Sequence, residues 1–470
     1  MKFIFPFVIT MVIILVSASC SQAKQAPNIV VILADDLGYG DLGCYGCPDI
    51  QTPNIDELAL GGVKFTNFYS NAPECTPTRA AFLTGRYQQR VGGLDCAIGA
   101  GNVGRYDEAM WLSDRTELGL PVDESTLINS LKEAGYATAL LGKWHLGYEK
   151  KFRPDRHGFD YSFCLLGGLG DYFYHTELVD PGQEDFTPYH TLAENGKEVF
   201  HDGEYLTELI TEKAIDWLDN LDREKSFFLY LPYTAPHLPY QGPQDDIGRS
   251  LRGDEDAGSR GKYAEMVESL DQEIGRIIKY LESEDLAEKT LIIFFSDNGG
   301  TTFANNGIFR ADKGTVFEGG IHVPCIIQWH GHVPQNKVSE QTCISFDLTR
   351  AILELIGVLP ETKLDGYNIL NHVIENQEDI PRTLFWRARR GERLQKAVRD
   401  GEYKYLIRTD GDLVIDEGLY DLFSDPSEQN NLLLNSPELV DKLRKKVTDW
   451  EEDVRAPRLF DWYNQGPSGN

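Results

Sequence analysis

Four short apolar runs of the sequence each lead into side chains that could bind a metal ion or carry a proton. In open α/β sheets, ligands bind beyond the carboxyl ends of the strands, so polar residues at several strand ends can meet in one site. One such ending is ordinary loop composition, but four of them are difficult to attribute to loops. The residues concerned are Asp35, Asp36, Lys143, His145, His237, Asp297 and Asn298.

Three carboxylates and one amide make up the acidic part of this set: Asp35, Asp36, Asp297 and Asn298. Carboxylates held together need a neutralising cation, and a ligand set made only of oxygen suits Ca²⁺ or Mg²⁺ and not zinc. For either pair alone, the simpler explanation is a helix N-cap or a turn. Because the two pairs occur together, we favour the hypothesis of a divalent-cation site.

Cys75 lies at the start of a short predicted helix that runs from Pro77 to Thr84 and ends at Gly85. Proline is favoured in the first turn of a helix, and the backbone N–H groups there attract anions. A thiol in this position is a candidate activated nucleophile. The alternative is a small buried side chain, which is the usual state of a free cysteine. The residue types alone leave both interpretations open.

The elements that must position these residues follow an α/β pattern. Short apolar runs alternate with amphipathic stretches, which predicts a large, mostly parallel sheet sandwiched by helices. The predicted strands are Asn28–Ala34, Ala137–Leu141, Ser226–Leu231, Thr290–Phe295 and Val323–Trp329. The predicted helices include Glu124–Ala134, Tyr205–Leu221 and Tyr263–Glu282, and Gln241–Lys262 is predicted to be a loop.

The organisation changes near residue 375. The runs around Thr383–Ala388 and Arg399–Gly401 predict antiparallel strands, and Pro437–Val454 predicts one amphipathic helix. We therefore expect a smaller C-terminal α+β subdomain packed on the larger unit. The expected division is a signal segment at 1–23, a catalytic domain at 24–375, the subdomain at 376–456 and a tail at 457–470.

The N-terminal segment predicts export. Lys2 precedes an apolar run that is too short for a membrane span, which is typical of a secretory signal. Small residues before Cys20 resemble a bacterial lipoprotein box, and a small-x-small site before Lys24 is the alternative cleavage point. We expect an exported bacterial protein that is either periplasmic or lipid-anchored to the cell envelope through Cys20.

The composition is that of an ordinary globular protein, and the charge argues against one class, the nucleic-acid binders. The chain has 470 residues, 41% hydrophobic and 25% charged, which is an ordinary globular composition. Its 45 Lys and Arg residues against 74 Asp and Glu residues give a net charge of −29. Such a field argues against nucleic-acid binding, and a pocket for an anionic substrate must supply positive charge locally.

Cys44 and Cys47 form a lone C-x-x-C pair, for which a local disulfide or two thiols is favoured over a metal site.

Two long motifs resemble the signatures of the type I, arylsulfatase-like sulfatases of the alkaline phosphatase superfamily. Cys75-Thr76-Pro77-Thr78-Arg79 matches C-x-P-x-R, and the segment from Gly135 to His145 matches G-Y-x-T-x-x-x-G-K-x-H. The resemblance extends from about residue 27 to residue 432. Shorter matching blocks are Ala34-Asp35-Asp36, Ala235-Pro236-His237, Ser296-Asp297-Asn298-Gly299, Lys313-Gly314 and Leu419-Tyr420-Asp421-Leu422.

The resemblance implies an alkaline-phosphatase-like fold and hydrolysis of sulfate esters. It implies that a formylglycine-generating maturase oxidises Cys75 to formylglycine, whose hydrated form attacks sulfur. It also implies Ca²⁺ at Asp35, Asp36, Asp297 and Asn298, with the modified Cys75 as a further ligand. Lys143 and Lys313 would stabilise developing negative charge and bind the substrate sulfate, and Arg79 would hold the modified residue. His237 would bind the substrate and protonate the leaving oxygen, and His145 would accept a proton.

The sugar is less clearly indicated. The segments Val91–Leu120 and Gly167–Asp180 are predicted pocket loops, with aromatic and charged residues that suit sugars. Their candidate substrate-binding residues are Arg105, Asp171, Tyr172 and His175. The expected substrate is a sulfated polysaccharide or oligosaccharide. His322 departs from the family pattern, which has arginine there, and Ala311-Asp312 replaces the usual glycines before Lys313.

Two other functions stay open on the sequence. Phosphate and phosphonate monoester hydrolases of the same superfamily share the fold, the metal site and even C-x-P-x-R. The combination of Lys143, His145 and His237 favours the sulfatase over these enzymes. A non-catalytic glycan-binding protein is the third hypothesis, and it would apply if Cys75 stayed a thiol.

Overall fold

The structure is a computed structural model that describes residues 26–92, 94–98, 119–176, 191–245 and 257–454. The helices are α1 Pro53–Leu60, α2 Cys75–Thr84, α3 Leu127–Glu133, α4 Leu206–Asp219, α5 Arg260–Ser283, α6 Glu318–Ile321, α7 Ser345–Ile356, α8 Ile369–Ile374 and α9 Pro437–Asp453. The strands of the catalytic unit are β1 Asn28–Ala34, β2 Val63–Phe65, β3 Phe68–Tyr69, β4 Ala137–Lys143, β5 Tyr161–Leu165, β6 Leu192–Glu194, β7 Lys197–Glu198, β8 Phe227–Pro232, β9 Thr290–Ser296, β10 Cys325–Gln328, β11 Lys337–Ser339 and β12 Cys343–Ile344. The C-terminal strands are β13 Thr383–Arg390, β14 Arg393–Asp400, β15 Tyr403–Asp410 and β16 Leu413–Asp421.

One ten-stranded sheet forms the catalytic unit, in the order β11-β2-β10-β9-β1-β8-β4-β5-β6-β7. Its centre, from β9 to β5, is parallel. Antiparallel pairs flank this centre, at β10 on one side and at β6 and β7 on the other. The predicted mostly parallel sheet is therefore confirmed, with its antiparallel strands at the two margins.

The β1 strand shows how the sheet is buried on both faces. Ile29, Val31 and Leu33 point into one apolar core, which includes residues of α2, α3 and α7. Val30 and Ile32 point into a second core against α1, α4 and α5. This alternation is the two-residue period of a strand covered by helices on both sides. The result is a rigid layer that holds the carboxyl ends of its strands in fixed positions.

The smaller unit is a four-stranded antiparallel sheet, β13-β14-β15-β16, with α9 packed on one face. Its other face packs on the catalytic unit, where Trp386 is buried and its indole N–H donates to the carbonyl of Ser70 at 2.8 Å. Trp450 of α9 stacks on Phe385 with ring centroids 5.2 Å apart. The predicted C-terminal α+β subdomain is thus present as expected in type and order.

Several predicted boundaries differ by a few residues from those observed, and three helices show this at their first residue. The helix expected from Glu124 begins at Leu127, because Thr126 forms a capping box with Asn129. The expected loop 241–262 ends earlier, since Ser259 caps α5 by accepting from the backbone N–H of Lys262 at 3.1 Å. The helix expected from Pro77 already begins at Cys75.

Cys44 and Cys47 are both free thiols, which selects one of the two interpretations left open for this pair. Within the described ranges, every helix is too short or too polar to span a bilayer. The signal segment 1–23, the tail 457–470 and Arg105 lie outside the described residues.

Candidate active site

The acidic residues come together because β1 and β9 are neighbours in register. Ala34 pairs with Ser296 at the carboxyl ends of the two parallel strands. Asp35 and Asp297 therefore follow side by side, and both are completely buried. The backbone N–H of Asp36 lies 3.4 Å from Oδ1 of Asp297.

Cys75 is the first residue of α2 and faces this acidic cluster. Its thiol donates to Oδ1 of Asp35 at 3.4 Å, and Nζ of Lys143 lies 3.5 Å from its sulfur. Burial, with the nearby carboxylates of Asp297 and Asp35, raises the pKa of the Cys75 thiol well above its usual range. The unmodified thiol is therefore held neutral, and a neutral thiol is a poor nucleophile.

The lysine at the end of β4 depends on a close approach of two strands. Gly142 has φ +133°, and a Cβ there would lie 2.1 Å from the carbonyl oxygen of Pro232 on β8. Only glycine allows this contact without displacing backbone. The next residue, Lys143, is thereby directed into the cluster, where it forms a fully buried ion pair with Asp35.

A second lysine reaches the cluster from the loop after β9. Nζ of Lys313 lies 2.7 Å from Oδ1 of Asp36. The loop is fixed by backbone bonds from Lys313 to Gly300, at 3.1 Å, and from Gly314 to Pro73, at 2.8 Å. Although burial opposes ionisation, Lys313 holds the pKa of Asp36 well below its usual value.

Arg79 lies one turn into α2 and ties the helix to two strand ends. Its Nε and Nη2 donate to Oδ2 of Asp297 at 3.0 and 2.8 Å, and its Nη1 donates to the carbonyl of Lys143 at 2.8 Å. Burial and the neighbouring Asp35 nevertheless raise the pKa of Asp297 to about 6. The carboxylates are thus crowded even with three basic side chains around them.

The two candidate catalytic histidines present different ring nitrogens to the site. Nε2 of His145 lies 2.6 Å from the carbonyl of Ile98, so it carries the proton of the neutral ring. Its buried Nδ1 has no hydrogen-bond partner among the described residues. Burial and the charge of Lys143 lower the pKa of His145 well below its usual value. His145 is therefore a neutral ring with an unprotonated nitrogen available as a base.

His237 is bonded through the opposite ring nitrogen, Nδ1. Its Nδ1 lies 2.6 Å from the carbonyl of Leu238, and its Nε2 lies 3.6 Å from Oδ2 of Asp36. Burial and the charge of Lys313 lower its pKa to about 3. Nε2 is the nitrogen that faces the acidic cluster and Cys75, within the group formed by Asp35, Asp36, Cys75 and His237.

The donor set suits a hard divalent cation. Asp35, Asp36, Asp297 and Asn298 are all completely buried. Oδ1 of Asn298 has no hydrogen-bond partner in the described part of the chain, while its Nδ2 donates to Oδ1 of Asp36 at 2.7 Å. A buried acceptor without a donor beside crowded carboxylates is what a Ca²⁺ ion would satisfy. These four residues would hold the ion.

Three of the predicted sugar-binding residues, Asp171, Tyr172 and His175, lie in the loop after β5, where each forms at least one hydrogen bond within the protein. Tyr172 is completely buried, and its hydroxyl donates to the carbonyl of His237 at 2.8 Å. Oδ1 of Asp171 accepts from the backbone N–H groups of Phe173 and Tyr174, at 2.8 Å each. Nε2 of His175 lies 3.0 Å from the carbonyl of Glu204. In the structure these three side chains are buried and pack the loop, and direct sugar contact by them stays a prediction.

Sequence reasoning also missed residues that support the site from a distance. Gln395 of β14 donates to the carbonyl of Gly314 at 2.6 Å, next to Lys313. Glu74 precedes Cys75 and accepts from Arg390 at 2.9 Å. Neither contact leaves a local signal, because 81 and 316 residues separate the partners.

Comparison with known proteins gives consistent results. A family model described as Sulfatase matches residues 27–358, and one described as N-sulphoglucosamine sulphohydrolase, C-terminal matches residues 305–453. The chain is 35% identical to N-acetylgalactosamine-6-sulfatase of Homo sapiens over 394 residues, which covers 82% of this chain and 72% of that protein. It is 32% identical to arylsulfatase A of Homo sapiens over 481 residues, which covers 92% and 89% of the two chains.

A solved structure is similar over almost the whole chain. The crystal structure of Ps i-CgsB has a TM-score of 0.79 and 31% sequence identity, and the match covers 93% of this chain and 95% of that one. A second crystal structure of Ps i-CgsB is a complex with k-i-k-neocarrahexaose.

Proposed function

Since the chain belongs to the sulfatase family and is a sulfuric ester hydrolase, we propose that it is exported and removes sulfate esters from carbohydrate. We propose further that Cys75 is converted to formylglycine by a maturase and that the site binds Ca²⁺. The observation that carries the proposal is the convergence of Asp35, Lys143 and the start of α2 on one buried side chain, Cys75.

Ca²⁺ and the formylglycine at position 75 would have defined tasks. Asp35, Asp36, Asp297 and Asn298 would hold Ca²⁺, which would supply positive charge to the sulfate oxygens, and the hydrated aldehyde at position 75 would supply the attacking hydroxyl. The unpartnered Oδ1 of Asn298 supports a cation at this position.

The basic residues of the chain bind and orient the sulfate group. Lys143 and Lys313 lie on either side of the Asp35-Asp36 pair, and both ammonium groups are directed into the cluster. They counter the net charge of −29, which by itself would repel a sulfated glycan. Arg79 keeps α2 fixed against Asp297, so position 75 is held in one geometry.

The histidines divide the proton transfers. The neutral ring of His237 has its proton on Nδ1, so Nε2 can give a proton to the leaving sugar oxygen only after the bound anionic substrate has raised the low pKa of the ring. Nδ1 of His145 is the unprotonated nitrogen. It would accept the proton of the hydroxyl that remains at position 75 after the attack, as sulfate leaves. The contact of Nδ1 with the carbonyl of Leu238 orients the ring of His237, and the hydroxyl of Tyr172 holds the backbone of His237 by donating to its carbonyl.

Two relatives support the carbohydrate assignment. N-acetylgalactosamine-6-sulfatase is named for a sulfated sugar, and Ps i-CgsB was crystallised with a carrageenan oligosaccharide. Both match most of this chain at 30% identity or more. The N-terminal sequence around Lys2 and Cys20 supports export to the periplasm or lipid anchoring at the envelope of a bacterium.

The substrate class can be tested with the chain co-expressed with a formylglycine-generating maturase. Inorganic sulfate release is measured from carrageenans, fucans, chondroitin sulfates and heparin, with phosphate monoesters in parallel. We expect sulfate release from one class of glycan and none in Cys75→Ala. Cys96→Ala, a buried cysteine outside the cluster, is the matched control. Release of phosphate without sulfate would contradict the proposal.

A further inference from the structure

We propose that Arg390, at the tip of the β13–β14 hairpin, binds a second anionic group of the substrate, a sulfate or carboxylate on the sugar next to the one that loses sulfate. Arg390 would thereby make the enzyme selective for polyanionic glycans. The inference rests on the proposed function and adds a specificity-determining residue to it.

The β13–β14 hairpin contacts the residue before Cys75 and the residue after Lys313. On β13, Nη2 of Arg390 donates to Oε2 of Glu74 at 2.9 Å, and Glu74 directly precedes Cys75. On β14, the side chain of Gln395 donates to the carbonyl of Gly314, which directly follows Lys313. The C-terminal subdomain therefore reaches the site at two points, each one residue from a group that would meet the sulfate.

Strand alternation directs Arg390 towards the catalytic unit. Leu384, Trp386 and Ala388 form the buried face of β13, and Arg390 has the same parity. It lies two residues beyond the buried part of this face, and its guanidinium reaches Glu74, next to Cys75. Its side chain is 56% exposed, in contrast to the 6% of Glu74.

Only one nitrogen of the Arg390 guanidinium, Nη2, is bonded to a described residue. Oε2 of Glu74 also accepts from the backbone N–H of Ala97 at 2.7 Å, so this carboxylate is fixed in place. Glu74 is the partner that the structure gives Arg390 among the described residues, and it engages only Nη2. Arginine carries five N–H donors in a planar fork, which suits the paired oxygens of a sulfate or a carboxylate.

The surroundings of Arg390 suit a cation that binds an anionic substrate group. The arginine half of this ion pair is 56% exposed, so water screens the interaction and limits what the pair adds to stability. Burial opposes its charge, but Glu74 raises the pKa of Arg390. In a chain of net charge −29, an accessible cation beside the nucleophile is a local attraction for a polyanion.

The test uses hydrolysis of 4-methylumbelliferyl sulfate, a small ester with one charge, as its readout. Tetrasaccharides of ι-carrageenan and of chondroitin 6-sulfate, and inorganic sulfate, are added as competitive inhibitors. In Arg390→Gln we expect the inhibition constant of at least one tetrasaccharide to rise about tenfold or more, as for the loss of one charge-assisted hydrogen bond. The kcat/KM for the small ester and the inhibition by inorganic sulfate should stay within about twofold, and Arg390→Lys should recover part of the loss.

Lys442→Gln is the matched control, because it removes one positive charge from an exposed ion pair with Asp400 in the same subdomain. It should change none of the constants. An equal loss for the small ester and the tetrasaccharides in Arg390→Gln would show that Arg390 acts only by positioning Glu74, and unchanged inhibition constants would show no subsite; either result overturns the inference. A wild type that hydrolyses no sulfate ester contradicts the proposed function itself, and the inference with it.

Discussion

Nζ of Lys313 lies 2.7 Å from Oδ1 of Asp36, although 277 residues separate the two along the chain. The contact joins the loop after β9 to the end of β1. The same loop is bonded to Pro73, just before α2. One lysine thus connects the acidic cluster with the start of the helix that carries Cys75.

Removing this lysine should abolish most of the activity without unfolding the protein. Lys313→Ala deletes a positive charge directed at the sulfate, and loss of one such electrostatic group costs roughly a hundredfold or more in kcat. The measurement is kcat on a small sulfate ester, with circular dichroism to check the fold. Lys337→Ala, which removes a lysine of β11 that is bonded to Asn376, should keep wild-type activity. Equal activity in the two variants would contradict the role of Lys313.

The role of His237 can be separated by the choice of leaving group. A sugar hydroxyl is a poor leaving group and needs a proton, whereas 4-nitrophenolate leaves readily without one. His237→Ala should therefore lower kcat/KM for the carbohydrate ester by about 10²–10⁴-fold and for 4-nitrophenyl sulfate much less. His201→Ala removes a histidine paired with Glu204 away from the site and should change neither. The same loss on both substrates would argue against proton donation by His237.

Calcium should stabilise the fold through the four oxygen-donor residues. After chelation, Ca²⁺ at a hundredfold excess over its dissociation constant should add about 2.7 kcal/mol to the unfolding free energy. The Ca²⁺-induced rise in Tm should be much smaller in Asp297→Asn, which removes one buried carboxylate from the set. Asp271→Asn is the control, because Asp271 is equally buried but bonds Asn54 and Ile55. A full calcium response in Asp297→Asn would contradict the site.

His157 predicts a pH dependence of stability that is independent of the active site. It is buried against Trp144, both its ring nitrogens lack partners among the described residues, and burial lowers its pKa from 6.5 to about 4. Between pH 6.5 and about 4 the unfolded chain binds a proton at this position that the folded chain does not. Stability is therefore lost as pH falls through this window, by up to about 3 kcal/mol.

His157→Phe should remove this loss, so the variant gains stability relative to wild type as the pH falls. The measurement is the unfolding free energy from denaturant titrations at several pH values. The exposed His332 gives the control His332→Phe, which should retain the wild-type slope. Parallel curves for wild type and His157→Phe would contradict the prediction.

The sheet and its long helices were predictable because their signals are local. The strand Asn28–Ala34 is a continuous apolar run buried on both faces, and its observed bounds equal the predicted ones. In α5, Met266, Leu270, Ile274 and Leu281 recur at helical spacing and are all buried. Capping is also local, but its exact residue is chosen by competition between neighbours such as Thr126 and Glu124, so boundaries shifted by a few residues.

The arrangement within the site was less predictable, because it depends on contacts between distant residues. Sequence motifs brought Asp297 and Arg79 into one hypothesis, but not their direct hydrogen bonds across 218 residues. His322 illustrates the limit further. It fills the place of the family arginine by bonding Glu318 at 2.9 Å and the carbonyl of Thr66 at 2.7 Å, and by stacking on Phe309. Glu318 lies only four residues before His322, but 256 residues separate His322 from Thr66, and no local pattern encodes that contact.

The sugar-binding residues are the part of the site that sequence determines least, for a related reason. Aromatic and acidic types suit both sugar contact and loop packing, and composition cannot distinguish the two. The bond of Tyr172 to the carbonyl of His237, and that of Arg390 to Glu74 across 316 residues, are visible only in the structure.

The most direct test of the central claim relates chemistry at position 75 to turnover of carbohydrate sulfate. The chain is expressed with graded amounts of maturase, the aldehyde-bearing fraction of the Cys75 peptide is measured by mass spectrometry, and sulfate release from the active glycan is assayed on the same samples. The account predicts that the rate rises in proportion to the aldehyde fraction and extrapolates to zero without it. A rate that is independent of the aldehyde fraction would contradict the account.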